Sequence, residues 1–483
     1  MHENLPSTPA WLILLPLLWG SGAFALGAGR GALLALAALA VQLPLAILLA
    51  ADVAAAGTYV YPVGGWQAPL GIDFNVDGLA VLMILLTQAV ALPLAFYARA
   101  YFAAHPAGGA WFWPLAGYLV AAMNALYLSA DAFNLYVTLE LLGLAAVGLV
   151  AAAGGAGPVR AALRYLLVTL LGSGAYLLGV ALLYGTYGSV SLHALAPLVA
   201  ADAPAAVQLA AALMLFGLLL KTALFPFHFW LPTAHGGATA PVSALLSALV
   251  IKATFYLIVR LWLGLFAPLT HALAGQLLGA LGAAAILWGS LQAWRQVRLK
   301  MLVAYSTVAQ IGYLFLLFPL ATGVPAPAAA SALQGVLMQA LAHGLAKAAM
   351  FGAAGAMVAS MERDDIRHLG GVSSRLPLPL FAFGLSGVTL MGLPPSSGFI
   401  AKWLLIDAAI RSGQWIWIVV LIAGGLLTAL YVFKVLRHAF LQVEQNAHFL
   451  ALPRALTWTP LLLALASLAL GLRATEILLL VEM

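Results

Sequence analysis

Long apolar segments recur along the whole chain and are separated by short polar stretches. The segments lie at about 10–28, 31–51, 77–97, 110–130, 132–153, 161–186, 205–225, 239–263, 271–294, 301–320, 329–359, 376–408, 413–436 and 456–481. A helix of about 20 apolar residues crosses a bilayer. The pattern predicts an all-α polytopic membrane protein with roughly fourteen spans. The segments at 329–359 and 376–408 are long enough to bend.

Proline interrupts two of these segments. Pro226 and Pro232 break the stretch from residue 217 to 252, and Pro394 and Pro395 break another five spans later. Proline removes a backbone donor, so the freed carbonyls need protein or water partners at membrane depth. Broken helices in corresponding halves are typical of transporter sites. We therefore predict two inverted five-helix repeats, over spans four to eight and nine to thirteen.

These repeats divide a single membrane domain, residues 1–483, into four parts. Residues 1–109 hold the first three spans, 110–263 the first repeat, 271–436 the second repeat and 437–483 the C-terminal span. The first apolar segment lacks the basic leader of a secretory signal and is expected to be a retained span.

Composition supports the membrane class and excludes several functions. The chain is 65% hydrophobic and 7% charged, and it has no cysteine. Disulfides and cysteine-ligated iron–sulfur clusters are therefore excluded. The net charge of +6 does not indicate nucleic-acid binding, because the cations lie at helix ends or singly inside apolar runs instead of clustering on one soluble face.

The loop cations predict the orientation of the chain. Loops after odd-numbered spans carry twelve of them: Arg30, Arg99, Arg160, Arg164, Arg295, Arg298, Lys300, Arg363, Arg367, Arg375, Arg437 and Arg454. The opposite side carries three, Arg260, Arg411 and Arg473. By the positive-inside rule, both termini should lie on the non-cytoplasmic side of the inner (cytoplasmic) membrane.

The remaining cations are lysines inside apolar segments. They are Lys221, Lys252, Lys347, Lys402 and Lys434. Lys434 is near a helix end and is expected to snorkel to water. A charge near the bilayer centre costs several kcal/mol unless it pairs or reaches water, so the other four indicate an ion pathway.

Glu140 is the acid nearest to the middle of a span, and Lys221 is its expected partner. Opposite charges stabilise each other's ionised forms, so opening the pair would let Lys221 release a proton more readily. A purely structural salt bridge is the alternative.

A second group of polar residues is spaced along one helix. Gln339, His343 and Lys347 follow each other at intervals of four residues and should share one inward-facing surface. His343 is interpreted as a relay residue, the alternative being a core histidine. His228 and His235 flank Pro232 and suit packing or proton transfer equally.

Other polar residues have simpler interpretations. Ser243, Ser247 and Gln310 could hold a water wire or join helices. Asp131 is expected to cap a helix, and Asp77 to begin one. Asp407, five positions after Lys402, is interpreted equally as a local partner of that lysine and as a relay residue. No spacing of His, Asp and Glu suggests a metal site.

Several motifs resemble the antiporter-like subunits shared by respiratory complex I, Mrp-type cation/proton antiporters and membrane-bound hydrogenases. The motifs are DAFNLYVTLELL around Glu140, KTALFPFHFWLPTAHGGATAPVSALL from Lys221, LKMLVAYSTVAQIGY from Leu299, AHGLAKAAMFGAAG around Lys347, RDDIRHLGG from Arg363 and GLPPSSGFIAKW ending at Lys402. The stretch GGWQAPLGIDFNVDGLAVLM and Lys402 are most similar to the Mrp D-type and hydrogenase-associated branches.

The resemblance implies roles for the buried residues. Glu140 and Lys221 would form a gating ion pair, Lys252, His343 and Lys347 a hydrated central axis, and Lys402 the terminal proton site. Two substitutions depart from the family pattern: Gln339 stands at a common histidine position and Arg298 at a common aspartate position. The loop HGGATAP is also looser than the family's usual version.

The sequence therefore predicts a proton-translocating subunit of a larger membrane complex, driven by a partner's redox chemistry or ion exchange. Expected partners are other membrane subunits, including related antiporter-like subunits, the lipid bilayer and H⁺, with Na⁺ as a further possibility. No cofactor site or catalytic site of its own is expected, although the chain could be the pumping subunit of a translocase. The alternatives are an Mrp-type Na⁺/H⁺ antiporter subunit, an autonomous secondary transporter and a structural membrane scaffold.

Overall fold

The computed structural model describes residues 7–106, 108–441 and 448–482, with only the main chain described at residues 481 and 482. Parts of the predicted first and last divisions, residues 1–6, 442–447 and 483, lie outside this range. Within it the chain is mostly helical. In chain order the first helices and strands are α1 Thr8–Ala56, β1 Tyr59–Pro62, β2 Asp73–Val76, α2 Gly78–Ala104, α3 Gly109–Leu128, α4 Ala132–Ala151, α5 Ala156–Tyr187, α6 Leu192–Leu195, α7 Ala205–Thr222, α8 Leu231–Gly237, α9 Ala240–Leu245 and α10 Ile251–Arg260.

In the second half, the regular elements among the described residues are all helices. They are α11 Ala272–Arg295, α12 Leu299–Leu314, α13 Leu317–Ala321, α14 Ala326–Met361, α15 Val372–Arg375, α16 Pro377–Met391, α17 Ser397–Arg411, α18 Trp415–Ala439, α19 Arg454–Leu472 and α20 Ala474–Glu482. Among the described residues, eleven helices are long and apolar enough to cross a membrane. The protein is a polytopic helical membrane protein, as predicted.

The first helix is a tight hairpin of two antiparallel helices. Gly27 leaves the helical conformation with φ of 75°. The segments before and after this residue contact each other: Gln42 Nε2 donates to the carbonyl of Leu12 at 3.3 Å. The hairpin accounts for the two apolar segments predicted at 10–28 and 31–51.

The two long segments that were expected to bend behave differently. The segment at 376–408 is broken between α16 and α17, where Gly392 adopts φ of 81°. By contrast, α14 is a continuous helix of 36 residues. Its proline, Pro327, lies in the first turn, where no intrahelical N–H bond is needed.

A small antiparallel sheet departs from the all-α prediction. Strands β1 and β2 pair with Tyr59 opposite Val76 and Pro62 opposite Asp73. Isolated bridges extend the pairing from Phe74 to Ser129 and from Asp131 to Ser191. The sheet covers one end of the bundle. Its strands are short and only partly buried, so the sequence contains no apolar run that would have predicted them.

Burial separates central from peripheral helices. The helix from Ala240 to Leu265 and helix α14 are almost entirely enclosed by protein, whereas α1 and α18 expose apolar faces over most of their surface. Lysine on α10 and α14 is therefore surrounded by protein instead of lipid. This arrangement places the polar residues of these two helices in the middle of the bundle.

Helices α5 and α7 cross at a pair of glycines near the predicted ion pair. A Cβ atom added to Gly217 would overlap the carbonyl oxygen of Gly172, so the two backbones are in direct contact. Small residues allow such close approach between membrane helices. The contact fixes the position of Lys221, one turn further along α7, relative to α5.

We expect Gly217→Ala to destabilise the protein by about 1–3 kcal/mol, because the added methyl group has no room and the helices must separate. Gly174→Ala on α5 is the matched control, since a Cβ atom added at that position would have no neighbour within 4 Å. That change should be neutral or stabilising by about 0.5–1 kcal/mol. Thermal unfolding in detergent measures both, and equal melting temperatures would contradict the packing argument.

Candidate functional site

Glu140 and Lys221 form an ion pair inside the bundle. Lys221 lies in the last turn of α7 and Glu140 in the middle of α4, and the Nζ–Oε1 distance is 3.4 Å. The lysine side chain is 4% exposed and the glutamate side chain 18% exposed. Ser173 of α5 donates to the same carboxylate oxygen. The carboxylate is therefore held by a hydroxyl as well as by the ammonium group.

The helix breaks immediately after Lys221. Ala223 takes a left-handed conformation with φ of 56°, and Pro226 precedes a single 3₁₀ turn over Phe227–Trp230 before α8 begins. The indole Nε1 of Trp230 donates to the carbonyl of Leu220 at 3.1 Å. Pro232 lies in the first turn of α8. The helix is thus interrupted around Pro226, whereas Pro232 lies inside α8, and the Trp230 side chain satisfies a carbonyl at the end of α7.

Two further lysines lie buried in the centre of the bundle. Lys252 Nζ donates to the carbonyl of Ser247 at 2.5 Å, one turn before it in a π-helical segment, Leu246–Val250. Lys347 Nζ donates to the carbonyl of Val303 at 3.0 Å and to the hydroxyl of Ser306. Both side chains are fully buried, and they lie close enough for their charges to interact.

Hydroxyl groups connect the helices that carry these lysines. Ser247 and Thr307 share a hydrogen bond of 2.9 Å between their side chains. Thr222, next to Lys221, donates to Thr254 at 3.0 Å. These bonds join the helix of Lys221 to that of Lys252, and the π-helical segment to α12. Lys221 and Lys252 themselves share no hydrogen bond in the described structure.

The predicted polar face of α14 points into the bundle. Gln339, His343 and Lys347 are all buried. Neither ring nitrogen of His343 has a hydrogen-bond partner within the described protein, and the same is true of Nδ1 of His235. Both histidines lie close enough to the ammonium groups of Lys252 and Lys347 to interact with them electrostatically. The cluster therefore contains two lysines and two imidazoles.

A chain of amide groups leads from α14 to the second broken helix. Gln339 Nε2 donates to Gln310 Oε1 at 2.9 Å, and Gln310 Nε2 donates to the carbonyl of Leu390 at 3.3 Å. Lys402 Nζ donates to the same carbonyl at 3.1 Å and to that of Met391 at 2.7 Å. Its ammonium group also lies 4.5 Å from the centre of the Tyr313 ring.

The break between α16 and α17 holds Pro394 and Pro395, as predicted. Leu390 and Met391 are the last residues of α16, so their carbonyls have no intrahelical partner. The ammonium group of Lys402 occupies that helix end, where the helix dipole also favours a cation. Lys221 lies in the last turn of the first half of its broken helix, whereas Lys402 lies in the second half and its ammonium group reaches back to the end of the first half.

Some predicted relay residues lie outside this chain of contacts. Asp407 does not pair with Lys402; its carboxylate accepts from Arg411 at 2.6 Å and from Ser331 at 2.7 Å. Arg411 lies four residues after Asp407, so the two side chains share one face of the helix. Lys402 lies five residues before Asp407, so its side chain points in a different direction. His228 is half-buried and stacks on Phe225. Ser243 donates to the main-chain carbonyl of His235 at 2.6 Å.

Two cations that were predicted to lie in loops are partly or largely buried. Arg260 pairs with Asp77, the residue that also caps α2. The sequence contained a signal for this pair. Asp77 begins the third predicted span and Arg260 ends the eighth, so both were predicted at the end opposite the twelve loop cations. Lys300 was counted as a loop cation, but it is 9% exposed and donates to the carbonyl of Ala238. The predicted cap at Asp131 is confirmed, since its carboxylate accepts from Asn134 N at 2.7 Å.

The twelve loop cations that follow odd-numbered predicted spans lie at one end of the bundle, which we call the basic end. It is formed by the turn at Gly27, the links after α2, α4, α8, α11 and α14, and the chain that follows α18. Arg298 pairs there with Asp364 at 2.9 Å. In the same region, hydrogen bonding to the Arg367 guanidinium lowers the pKa of Asp365 to about 2, so this carboxylate stays ionised at neutral pH.

Comparisons with known proteins identify similar chains. The family described as "NADH:quinone oxidoreductase/Mrp antiporter, TM" matches residues 129–428. The N-type subunit of NADH-quinone oxidoreductase from Desulforudis audaxviator is 36% identical over 419 residues, covering 86% of this chain and 81% of the relative. The D-type subunit of the Na⁺/H⁺ antiporter from Alkalihalophilus pseudofirmus is 30% identical over 416 residues, covering 84% and 82%.

A solved structure is similar over the full length. A chain of the Mrp complex from a Dietzia species superposes with a TM-score of 0.88 at 28% sequence identity, covering 99% of this chain and 96% of that one.

The buried lysines can be tested for a structural role. Lys252→Met removes a buried charge that no carboxylate of the described residues compensates, so stability should stay unchanged or rise by about 1–4 kcal/mol. Arg260→Met removes one member of an ion pair and leaves Asp77 without its cation, which should cost about 1–3 kcal/mol. Melting temperatures in detergent compare the two variants. A large loss of stability in Lys252→Met would mean that this lysine holds the fold together.

Proposed function

The chain belongs to the NADH:quinone oxidoreductase/Mrp antiporter membrane family, as its motifs predicted, and from this membership we propose that it is a proton-translocating subunit of a multisubunit membrane complex. It is a multi-pass protein of the cell membrane. The proposed path runs from the pair of Glu140 and Lys221 through Lys252, His343 and Lys347 to Lys402.

The observation that carries the proposal is the different environment of one lysine. Among the described residues, Lys221 is the lysine that pairs with a carboxylate, whereas Lys252, Lys347 and Lys402 are held by carbonyls and a hydroxyl. A carboxylate favours the protonated lysine more strongly than a neutral carbonyl does. Separating Glu140 from Lys221 would therefore release a proton toward the central residues.

Each later lysine can then accept and release a proton in turn. Their carbonyl partners stabilise an ammonium group but carry no net charge, so the neutral amine leaves no unpaired anion behind. His343, with both ring nitrogens free of protein partners in the described structure, lies within electrostatic reach of both Lys252 and Lys347. The amides of Gln339 and Gln310 lead toward Lys402, where we place the terminal proton site.

We also propose the finer architecture. Counting α1 as two spans, α3 as one, and each broken helix as one gives about fourteen spans, and the breaks after Lys221 and before Lys402 mark two inverted repeats. The basic end is proposed to face the cytoplasm, which would place both termini on the opposite side. Gene-fusion reporters at the two termini would test this orientation.

The identity of the transported ion and of the driving reaction depends on the parent complex. Similarity to an N-type subunit of NADH-quinone oxidoreductase suggests redox driving, whereas similarity to a D-type subunit of a Na⁺/H⁺ antiporter suggests ion exchange. We propose related antiporter-like subunits as neighbours in either case. The proteins that co-purify with the native chain distinguish these two complexes. Transport by the purified chain alone would instead indicate an autonomous transporter.

Glu140→Gln should abolish most coupled proton translocation while leaving the complex assembled. The amide keeps the shape of the carboxylate and can still accept from Ser173, but it no longer stabilises the Lys221 ammonium group. Losing an interaction of about 2–3 kcal/mol predicts a decrease of roughly 30-fold to 100-fold. Proton uptake into vesicles containing the native complex measures the effect, and Lys221→Met should cause a loss of the same order.

Glu476→Gln is the matched control, because Glu476 also pairs with a cation, Arg473 at 3.0 Å, but at an exposed position. Its translocation rate should equal that of the wild type. Full activity in both Glu140→Gln and Lys221→Met would rule out the ion-pair gate. Full activity in a double variant of Lys252 and Lys402 would instead support the scaffold alternative.

A further inference from the structure

A cavity of about 410 Å³ lies open at the basic end of the bundle. It lies between the end of α2, the end of α14 and the short link that joins α8 to α9. Polar groups in its wall come from Tyr101, His105, Thr239, Lys300 and Glu362. The cavity is therefore suitable for water. Its inner wall is the link that joins α8, the second half of the first broken helix, to α9.

Lys300 fastens this link. It lies at the start of α12, is 9% exposed and donates from Nζ to the carbonyl of Ala238. Ala238 and Thr239 are the two residues between α8 and α9. Lys300 thus lines the cavity and at the same time holds the backbone that closes it.

The central cluster begins directly behind the link. Ser243 Oγ donates to the carbonyl of His235 at 2.6 Å, and both residues are buried. The ammonium groups of Lys300, Lys252 and Lys347 all lie within electrostatic reach of His235, so this imidazole is near both the lysine that lines the cavity and the central lysines. Its Nδ1 atom has no partner within the described protein.

A second set of contacts holds Lys300 itself in place. Asp364, in the loop after α14, accepts from the backbone N of Lys300 at 3.0 Å and pairs with Arg298 at 2.9 Å. Arg298 also donates to the carbonyl of Gly236 at 3.4 Å. Lys300 and Asp364, which make no contact with the central lysines within the described structure, are therefore joined at the link.

We propose that this cavity is the access route between the basic end and the lysine cluster, and that Lys300 is the positioning residue that keeps its inner wall closed. Breaking the hydrogen bond between the Lys300 ammonium group and the carbonyl of Ala238 would free the link and admit water to His235. The inference rests on the proposed proton translocation but concerns access, which can be measured without transport.

Because the natural chain contains no cysteine, a single introduced thiol reports access. Ser243→Cys places the thiol behind the link, and a small uncharged maleimide applied to the purified complex measures its exposure. The labelling of Ser243→Cys alone should be slow. Adding Lys300→Met should accelerate it at least about tenfold, because a hydrogen bond to a charged group shifts an opening equilibrium by that factor.

Two further variants control for charge and for general loosening. Lys300→Arg keeps a donor at the carbonyl and should retain slow labelling. Lys434→Met removes a lysine that also binds two carbonyls at the basic end, those of Trp294 at 2.7 Å and Gln296 at 2.6 Å, but lies outside the cavity. It should leave labelling slow as well.

Equally slow labelling of Ser243→Cys with and without Lys300→Met would overturn the inference, even if Glu140→Gln had abolished translocation. Conversely, fast labelling together with an active Glu140→Gln variant would retain the access route and remove the ion-pair gate. If Lys300→Met fails to assemble, Asp364→Asn weakens the same anchor from outside the cavity. Unchanged labelling in that variant would also overturn the inference.

Discussion

Main-chain carbonyls are the principal partners of the ammonium groups inside this bundle. An isolated charge in a low-dielectric interior is costly, and a carboxylate partner would compensate it only by adding a second buried charge. A carbonyl provides a lone pair without that addition. The contacts join Lys252 to Ser247, Lys347 to Val303, Lys402 to Leu390 and Met391, and Lys300 to Ala238. Protonated and neutral lysine are therefore both tolerable, which is the condition for passing a proton on.

Irregular backbone supplies several of these carbonyls. In a regular helix each carbonyl is already bonded four residues ahead, so a free acceptor at membrane depth requires a helix end or a distortion. Leu390 and Met391 end α16, Ser247 lies in a π-helical segment, and Ala238 lies in the link between α8 and α9. Val303, inside α12, is the exception. The broken helices therefore provide the acceptors that make buried lysines possible.

Sequence patterns predicted the features that depend on neighbours along one helix. The prolines indicated both breaks, the spacing of Gln339, His343 and Lys347 indicated one inward face, and Asp131 indicated a cap. Contacts between helices were harder to predict. They depend on how each helix is rotated about its axis and how deeply it lies in the bundle, and a single sequence does not show either. Lys300 follows two cations in a loop and therefore resembled a surface residue, although its ammonium group turns inward to Ala238. For Asp407 the sequence suggested pairing with Lys402 and a relay role equally, but helical geometry directs its carboxylate to Arg411.

The two broken helices present their lysines in chemically different ways, and this difference makes the two ends of the polar chain unequal. The Lys221 ammonium group faces a carboxylate on α4, so its proton affinity depends on a distance between two helices that can change. Lys402 faces two carbonyls of the adjacent half-helix and the ring of Tyr313, contacts that involve no second charge. A displacement of α4 against α7 therefore alters the charge balance at one end of the polar chain and leaves the other end unchanged. The lysines between these two ends are free of competing carboxylates within the described structure, which is what the proposed proton path requires.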